Sequence, residues 1–379
     1  MFSQKLRTIA AALLLGSAVI GAGVLSSTLS ADAAARPQVG NLLKQAISLA
    51  EGGNTSAAEA KIHEAESTGG LTPGDNQAIA QVRAYVEAKS NAGPLAKFTN
   101  DYNSGRYSAV VDGDADELRK AGKYGYEQEV VVAQAYYLMG KCEQAISMLR
   151  DMAGGHASEQ ILSLMYSAAY KCGDNDAMRT ALERLVSEYN KPQYWSDLLQ
   201  AAEGMKGIKD HQLLDIYRLR LLTNSLKSKE DYETSAELAI EFKSSTEAAN
   251  IVQKGLDAKV LAGDRDMRLL NTAKTQAAAD VAALPKTAAA AAAAKTGDAS
   301  VSLGETYWGM GRYPDAINAI QAGLKKPLTD KDDAQIRLGM AYYGAGQKSE
   351  AIQAFNAVSK TNAGEAEIAH IWSLYVRTH

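Results

Sequence analysis

The sequence predicts an all-α protein, and three observations support this prediction. The 379-residue chain contains only seven Pro, which leaves long stretches free to form uninterrupted helices. Alanine, the strongest helix former, is abundant and makes up the whole of segment 288–294. Near the C-terminus a pattern of apolar and small residues recurs at a constant offset, which is typical of stacked helix pairs.

The composition excludes several classes of protein. Hydrophobic residues make up 46% of the chain and charged residues 22%, which is ordinary for a folded protein and argues against global disorder. The formal net charge is −4, so there is no basic field to attract nucleic-acid phosphates. We therefore expect a folded protein without a nucleic-acid partner.

The N-terminus has the three parts of a secretory signal peptide. Lys5 and Arg7 form a basic start, an apolar stretch runs from residue 9 to 25, and small residues follow at Ala33 and Ala35. We expect cleavage after Ala33 or Ala35, and a periplasmic location in a diderm bacterium. The alternative is an uncleaved membrane anchor, but the stretch of about 17 residues is near the lower limit for spanning a bilayer. No second apolar run of that length follows, so no stable membrane span is expected after cleavage.

The exported chain contains two cysteines, Cys142 and Cys172. An even count in an oxidising compartment predicts one disulfide. Packed helices lie about 10 Å apart whereas a disulfide needs Cα atoms within about 7 Å, so geometry is the demanding step. The alternative is a pair of buried thiols that act as small apolar side chains.

The clearest repeat occupies the C-terminal region. Five positions recur with an offset of 35 residues: Leu303, Gly304, Tyr307, Gly311 and Ala316 in the first copy, and Leu338, Gly339, Tyr342, Gly346 and Ala351 in the second. The first glycine of each copy lets a facing helix approach closely, and the second ends a helix in a left-handed conformation. The alanine is a small contact where the second helix of the pair crosses the first.

This pattern resembles the tetratricopeptide repeat, a helix–turn–helix unit of about 34 residues. The resemblance implies a right-handed α-solenoid in which several copies are degenerate. Weaker copies keep the register upstream, around Gly53, Gly140, Gly173, Trp195 and Gly255. The second helix of the copy at Trp195, over about 211–222, is expected to be long and atypical.

Five regions follow from these assignments. They are a signal peptide at 1–35, an N-terminal helical region with one repeat at 36–125, central repeats at 126–262, a degenerate Ala-rich helical segment at 263–296, and C-terminal repeats with a capping helix at 297–379. We expect the Ala-rich segment to be a degenerate repeat, with Pro285 at the start of its Ala-rich helix. The alternative is a hinge between two halves of the solenoid.

Motifs for catalysis or metal binding are absent from the sequence. It has no Gly-rich phosphate loop and no Gly-x-Ser-x-Gly nucleophile motif. The acidic run that begins at Asp112 lacks the Glu that a calcium loop requires at its twelfth position. The five histidines are scattered and form no cluster with ligand spacing. The sequence therefore predicts a binding protein rather than an enzyme, with no catalytic residues, metal or cofactor.

The resemblance also indicates where a partner would bind. In tetratricopeptide repeats the residue after the motif Tyr faces the concave groove, and in four copies it is aromatic: Tyr137, Tyr170, Trp308 and Tyr343. One turn earlier on the same helices lie Gln134, Ser167, Glu305 and Met340. The resemblance implies a groove that binds a protein or peptide partner, and aromatic faces beside polar groups would also suit a glycan chain. The alternative is that these aromatic side chains serve general packing.

Overall fold

The structure is a computed structural model that describes residues 35–91 and 93–379. These residues form helices joined by turns, and no strand occurs among them. They divide into an N-terminal unit that ends at Lys123 and a repeat unit, Tyr124–His379. Residues 1–34 of the predicted signal peptide lie outside the described part of the chain. Within that part no helix is both long and apolar enough to cross a membrane.

The N-terminal unit begins with a helix pair and continues with irregular helices. Its elements are α1 (Pro37–Glu51), α2 (Thr55–Glu66), α3 (Pro73–Asn91), α4 (Pro94–Asn103), α5 (Tyr107–Ala109), a π-helical turn (Val110–Asp114) and α6 (Ala115–Lys120). Gly53 has φ +78° in the turn between α1 and α2, which favours a residue without a Cβ. Helices α1 and α2 therefore form a helix pair with its turn at Gly53, and α4 to α6 are short helices interrupted by a π-helical turn.

The repeat unit consists of fourteen helices. They are α7 (Tyr126–Leu138), α8 (Cys142–Met152), α9 (Glu159–Cys172), α10 (Asn175–Tyr189), α11 (Pro192–Glu203), α12 (Asp210–Leu222), α13 (Lys229–Glu241), α14 (Ser245–Asp257), α15 (Asp264–Ala293), α16 (Asp298–Gly309), α17 (Tyr313–Leu324), α18 (Lys331–Gly344), α19 (Lys348–Asn356) and α20 (Ala363–Thr378). Helix α12 has 13 residues, so the expectation that it is long is wrong.

Glycines set the turns inside four of the helix pairs. Gly140, Gly173, Gly311 and Gly346 have φ values from +70° to +75°, in the left-handed region that favours glycine. Each follows the first helix of a pair and reverses the chain toward the second. The turn positions predicted from the repeat pattern are confirmed.

Small residues bring the paired helices together. A Cβ added to Gly304 would lie 2.4 Å from Cγ1 of Ile320, and one added to Gly339 would lie 2.5 Å from Cε1 of Phe355. Ala316 and Ala351 on the second helices are completely buried. The close-approach and crossing roles predicted for these residues are confirmed, because no larger side chain fits without movement of its neighbours.

Segment 263–296 is dominated by one helix. The 30-residue helix α15 fills most of it, and Pro285 lies inside this helix rather than at the start of an Ala-rich helix. No glycine interrupts this stretch, and its alanines favour continued helix. Pro285 has no N–H, so it cannot donate the usual helical hydrogen bond to the carbonyl of Val281. Val281 is exposed, so water can donate to that carbonyl instead. The predicted start of the Ala-rich helix at Pro285 is therefore wrong.

The C-terminal helix packs against more than its neighbour in sequence. Helix α20 contacts α18 and α19, as predicted for a capping helix, and it also contacts α10 and α12. The rings of Trp195 and Tyr375 meet edge to face at 5.7 Å, and Arg179 pairs with Glu367 at 2.6 Å. One buried apolar cluster therefore joins the central repeats to the C-terminal repeats.

Candidate functional site

Trp308, on α16, is held by contacts on two sides. Its indole N–H donates a hydrogen bond to the carbonyl oxygen of Met340 at 3.3 Å. The guanidinium carbon of Arg218, on α12, lies 4.6 Å from the ring centroid, a cation–π distance. The ring is therefore partly covered by the chain itself.

Tyr343, on α18, is covered by α20. Its hydroxyl donates to the hydroxyl of Tyr375 at 3.2 Å, and the two rings meet edge to face at 5.4 Å. The ring of Trp372 lies 6.4 Å away. Tyr343 and Trp308 are both partly buried and contacted by other side chains, so the structure favours the packing interpretation for both.

Glu305 and Met340, predicted to flank the groove, are buried. Oε1 of Glu305 accepts a hydrogen bond from Nη2 of Arg218 at 3.0 Å, and Met340 lies beside Arg337. The expectation that these two residues border an open groove is wrong, because both are buried and Arg218 of α12 contacts Glu305. A narrow gap lies beside them, and it is lined by these four residues with Trp308 and Ile320.

Buried charges hold this contact together. Arg218 makes a two-pronged contact with Glu247 of α14, at 2.8 and 2.7 Å, and also pairs with Asp215 at 2.9 Å. Arg337 hydrogen-bonds to Asp215 across the same contact. We call these four residues, together with Glu305, the buried ion cluster. Burial acts to raise the pKa of Glu305, but the two arginines outweigh burial and lower it, so its carboxylate stays ionised.

The aromatic side chain at this repeat position is most open on α9. Tyr170, on α9, is 71% exposed, and its ring lies 6.4 Å from that of Tyr166. Tyr137, on α7, is partly buried, and Nζ of Lys171 lies 4.6 Å from its ring centroid. Tyr166 was not among the predicted residues, because it occupies the small-residue position of its repeat rather than the groove position.

The polar neighbours of these aromatics are also accessible. Gln134 and Ser167 are both partly exposed, and the hydroxyl of Ser167 donates to the carbonyl of Ser163 at 2.9 Å. Together with Tyr137, Tyr166 and Tyr170 they form what we call the tyrosine face. It combines aromatic surface with hydrogen-bonding groups on two neighbouring repeats.

A disulfide joins the two repeats that form this face. Cys142, the first residue of α8, is bonded to Cys172, the last residue of α9, with the Cα atoms 5.8 Å apart. That separation is well under the helix-packing distance, because the two cysteines lie at helix ends where the turns approach each other. Tyr170 and Lys171 directly precede Cys172, so the bond restrains the spacing between the aromatics of α7 and α9.

Helix pairs with glycine turns, stacked on a shared core, define a helical repeat protein. Residues 333–362, which include most of α18 and all of α19, match the tetratricopeptide repeat family. That match covers one repeat of the chain, the helix pair α18 and α19. The comparison with curated proteins gave no match.

Three solved structures illustrate the likeness. A tetratricopeptide repeat protein from Parabacteroides merdae ATCC 43184 is 12% identical with a TM-score of 0.29, over 76% of this chain and 98% of that one. The APC/C hetero-tetramer Cut9–Hcn1 is 12% identical with a TM-score of 0.24, over 90% of this chain and 72% of that one. The P58(IPK) TPR domain is 13% identical with a TM-score of 0.23, over 90% and 97%.

Proposed function

We propose that this chain is an exported, non-enzymatic adaptor that binds a segment of a partner protein on its tyrosine face. The observation that carries the proposal is the exposure of Tyr170 beside Tyr166, in the part of the repeat unit that the chain's own helices leave open. Tyrosine provides a large contact area with few rotatable bonds, so it binds at a low cost in conformational entropy.

Two features support export to the periplasm or cell envelope. The basic start, apolar stretch and small residues at the N-terminus fit a cleaved signal peptide. The Cys142–Cys172 bond suits an oxidising compartment, because disulfides are rare in the reducing cytosol. The mature chain would then act outside the cytoplasm, where its partner must also be found.

Site-specific photocrosslinking tests the proposal in the cells that make the protein. A photoreactive phenylalanine analogue placed at Tyr170 should give a discrete higher-mass adduct, and Tyr170→Ala should abolish binding of the partner identified in that adduct. The matched control is position 126, where Tyr126 is 53% exposed on the same unit but lies outside the tyrosine face. Adducts of equal yield from both positions, or none from 170, would contradict the proposal.

The same adduct distinguishes a protein partner from a glycan chain, the other ligand that aromatic faces suit. Protease treatment should collapse a protein adduct to the mass of a short crosslinked peptide. An adduct that survives protease but shifts after periodate oxidation would identify a polysaccharide and overturn the choice of partner class.

A further inference from the structure

Three side chains with metal-binding atoms meet where α20 closes onto α12. His211 lies in the first turn of α12, Asp330 directly precedes α18, and Glu365 lies in the first turn of α20. One potential ligand atom from each falls within 4.8 Å of the others. The residues are far apart in the sequence, so a search for ligand spacing along the chain does not find them.

Glu365 has unused capacity to accept a positive partner. The residue is 0% exposed, and its Oε1 atom accepts from Nε2 of His211 at 2.8 Å and from Nε2 of Gln212 at 2.9 Å. Its Oε2 atom is buried and has no hydrogen-bond partner among the described residues. A buried carboxylate oxygen without a partner is costly, and a bound cation would remove that cost.

Lys209 forms long ion pairs with Asp330 and Glu365. Its ammonium nitrogen lies 3.7 Å from Oδ2 of Asp330 and 4.0 Å from Oε1 of Glu365, while its side chain is 54% exposed. An exposed ion pair at such distances contributes little to stability. Lys209 can therefore swing into solvent and leave its place to a smaller, doubly charged ion.

The surrounding charges favour such an exchange. Oδ1 of Asp333 lies 3.9 Å from Nε2 of His211 and also forms an ion pair with Arg337. Arg337 in turn pairs with Asp215 in the buried ion cluster. Asp330, Asp333 and Glu365 therefore place three carboxylates around the imidazole of His211. The single arginine nearby already has a carboxylate partner in the cluster.

We propose that His211, Asp330 and Glu365 form a divalent-cation site that fastens the C-terminal helix to the central repeats. One imidazole nitrogen and two carboxylate oxygens match the ligands that Zn²⁺ accepts, with a water to complete the tetrahedron. Zinc–ligand bonds of about 2.0 to 2.1 Å place tetrahedral ligands roughly 3.3 Å apart. The present separations, all within 4.8 Å, need only small side-chain shifts to reach that geometry.

Calorimetric titration of the mature chain with Zn²⁺, after dialysis against a chelator, tests the site. We expect one Zn²⁺ per chain, with weaker binding of Mn²⁺ and weaker still of Mg²⁺. Asp330→Asn should lower the affinity about tenfold or more, because an amide oxygen is a poorer ligand than a carboxylate. Asparagine also caps helices well, so this variant keeps the cap that Asp330 provides to α18 and should fold normally.

Lys209→Ala gives the sharpest distinction between a metal site and an ordinary charge cluster. It should raise the affinity for Zn²⁺, because the competing ammonium is removed. The control is His156→Asn, which removes an 81% exposed histidine beside Glu188 and should leave binding unchanged. The proposal is overturned if the wild-type chain binds no Zn²⁺, if Asp330→Asn binds as tightly as the wild type, or if His156→Asn abolishes the binding.

Discussion

Trp308 and Tyr343 occupy the same repeat position as Tyr137 and Tyr170, yet the two pairs have different surroundings. In the C-terminal repeats, α12 and α20 cover the aromatic side chains, and Arg218 and Tyr375 contact them directly. In the central repeats Tyr170 is largely exposed, and Tyr137 is covered on one side by a flexible lysine. The comparison shows that position within a repeat does not determine whether a side chain can bind a partner. Access for a partner depends on which other helices of the chain pack against that side chain.

The largest effect is expected from breaking the buried ion cluster that covers the C-terminal pair. Arg337→Met leaves Asp215 without one of its two arginines in a site that water does not reach. Removal of one partner from a buried ion pair costs about 3 to 5 kcal/mol, because the remaining charge is uncompensated. Denaturant unfolding of the purified chain should show a loss of this size.

Arg312→Met is the matched control for that variant. Arg312 pairs with Asp315 at 2.6 Å on the surface, where both side chains are exposed. Exposed pairs contribute about 1 kcal/mol or less. If the two variants lose the same stability, the cluster does not hold α12 against the C-terminal repeats.

The disulfide should have the next largest effect, and on the central repeats. Cys142→Ala combined with Cys172→Ala removes a cross-link that spans a sequence separation of 30. Loop-closure entropy for such a span corresponds to about 3.6 kcal/mol at most. Unfolding should shift accordingly, and adduct formation at position 170 should fall because the spacing of α7 and α9 is no longer restrained. A double variant with unchanged stability and unchanged crosslinking would show that the bond plays no part in the tyrosine face.

Smaller losses of stability are expected when the aromatic side chains are replaced, and they should differ between the two pairs. Trp308→Ala and Tyr343→Ala should each cost about 2 kcal/mol, since each removes packing and a hydrogen bond from a partly buried site. Tyr170→Ala should change stability by no more than about 0.5 kcal/mol, as is usual at exposed positions. Melting curves for the three variants check the ranking. Equal stability losses at all three positions would remove the distinction between packed and open aromatics.

The fold could be predicted wherever the sequence carries local signals. Glycines with φ near +70° mark the turns, and Gly304 and Gly339 mark close helix crossings, so the regular repeats were placed correctly. The start of helix α15 was not, because Pro is common in the first turn of a helix and Pro285 lies in the interior instead. Absence of a turn glycine was the signal for one helix, and Pro285 gave a misleading signal for its start.

The candidate site depended on long-range packing and was harder to predict. Repeat position correctly placed Tyr170 at an accessible surface, but the same rule failed for Glu305 and Met340. The surroundings of Glu305 depend on α12, which is distant in the sequence. Arg218 of α12 pairs with Glu305 although 87 residues separate the two. A single repeat contains no information about which distant helix will pack against it.

Hydroxyl-radical footprinting with mass spectrometry tests the contrast between the two aromatic pairs most directly. The folded chain is exposed to short radical pulses, and the oxidation rate is measured at residues 170, 308 and 343, each normalised to the rate in the unfolded chain. Because Tyr170 is 71% exposed whereas helices cover Trp308 and Tyr343, we expect fast oxidation at 170 and clear protection at the other two. Oxidation of Trp308 and Tyr343 as fast as that of Tyr170 would show that the C-terminal concave side is open, and would contradict the account given above.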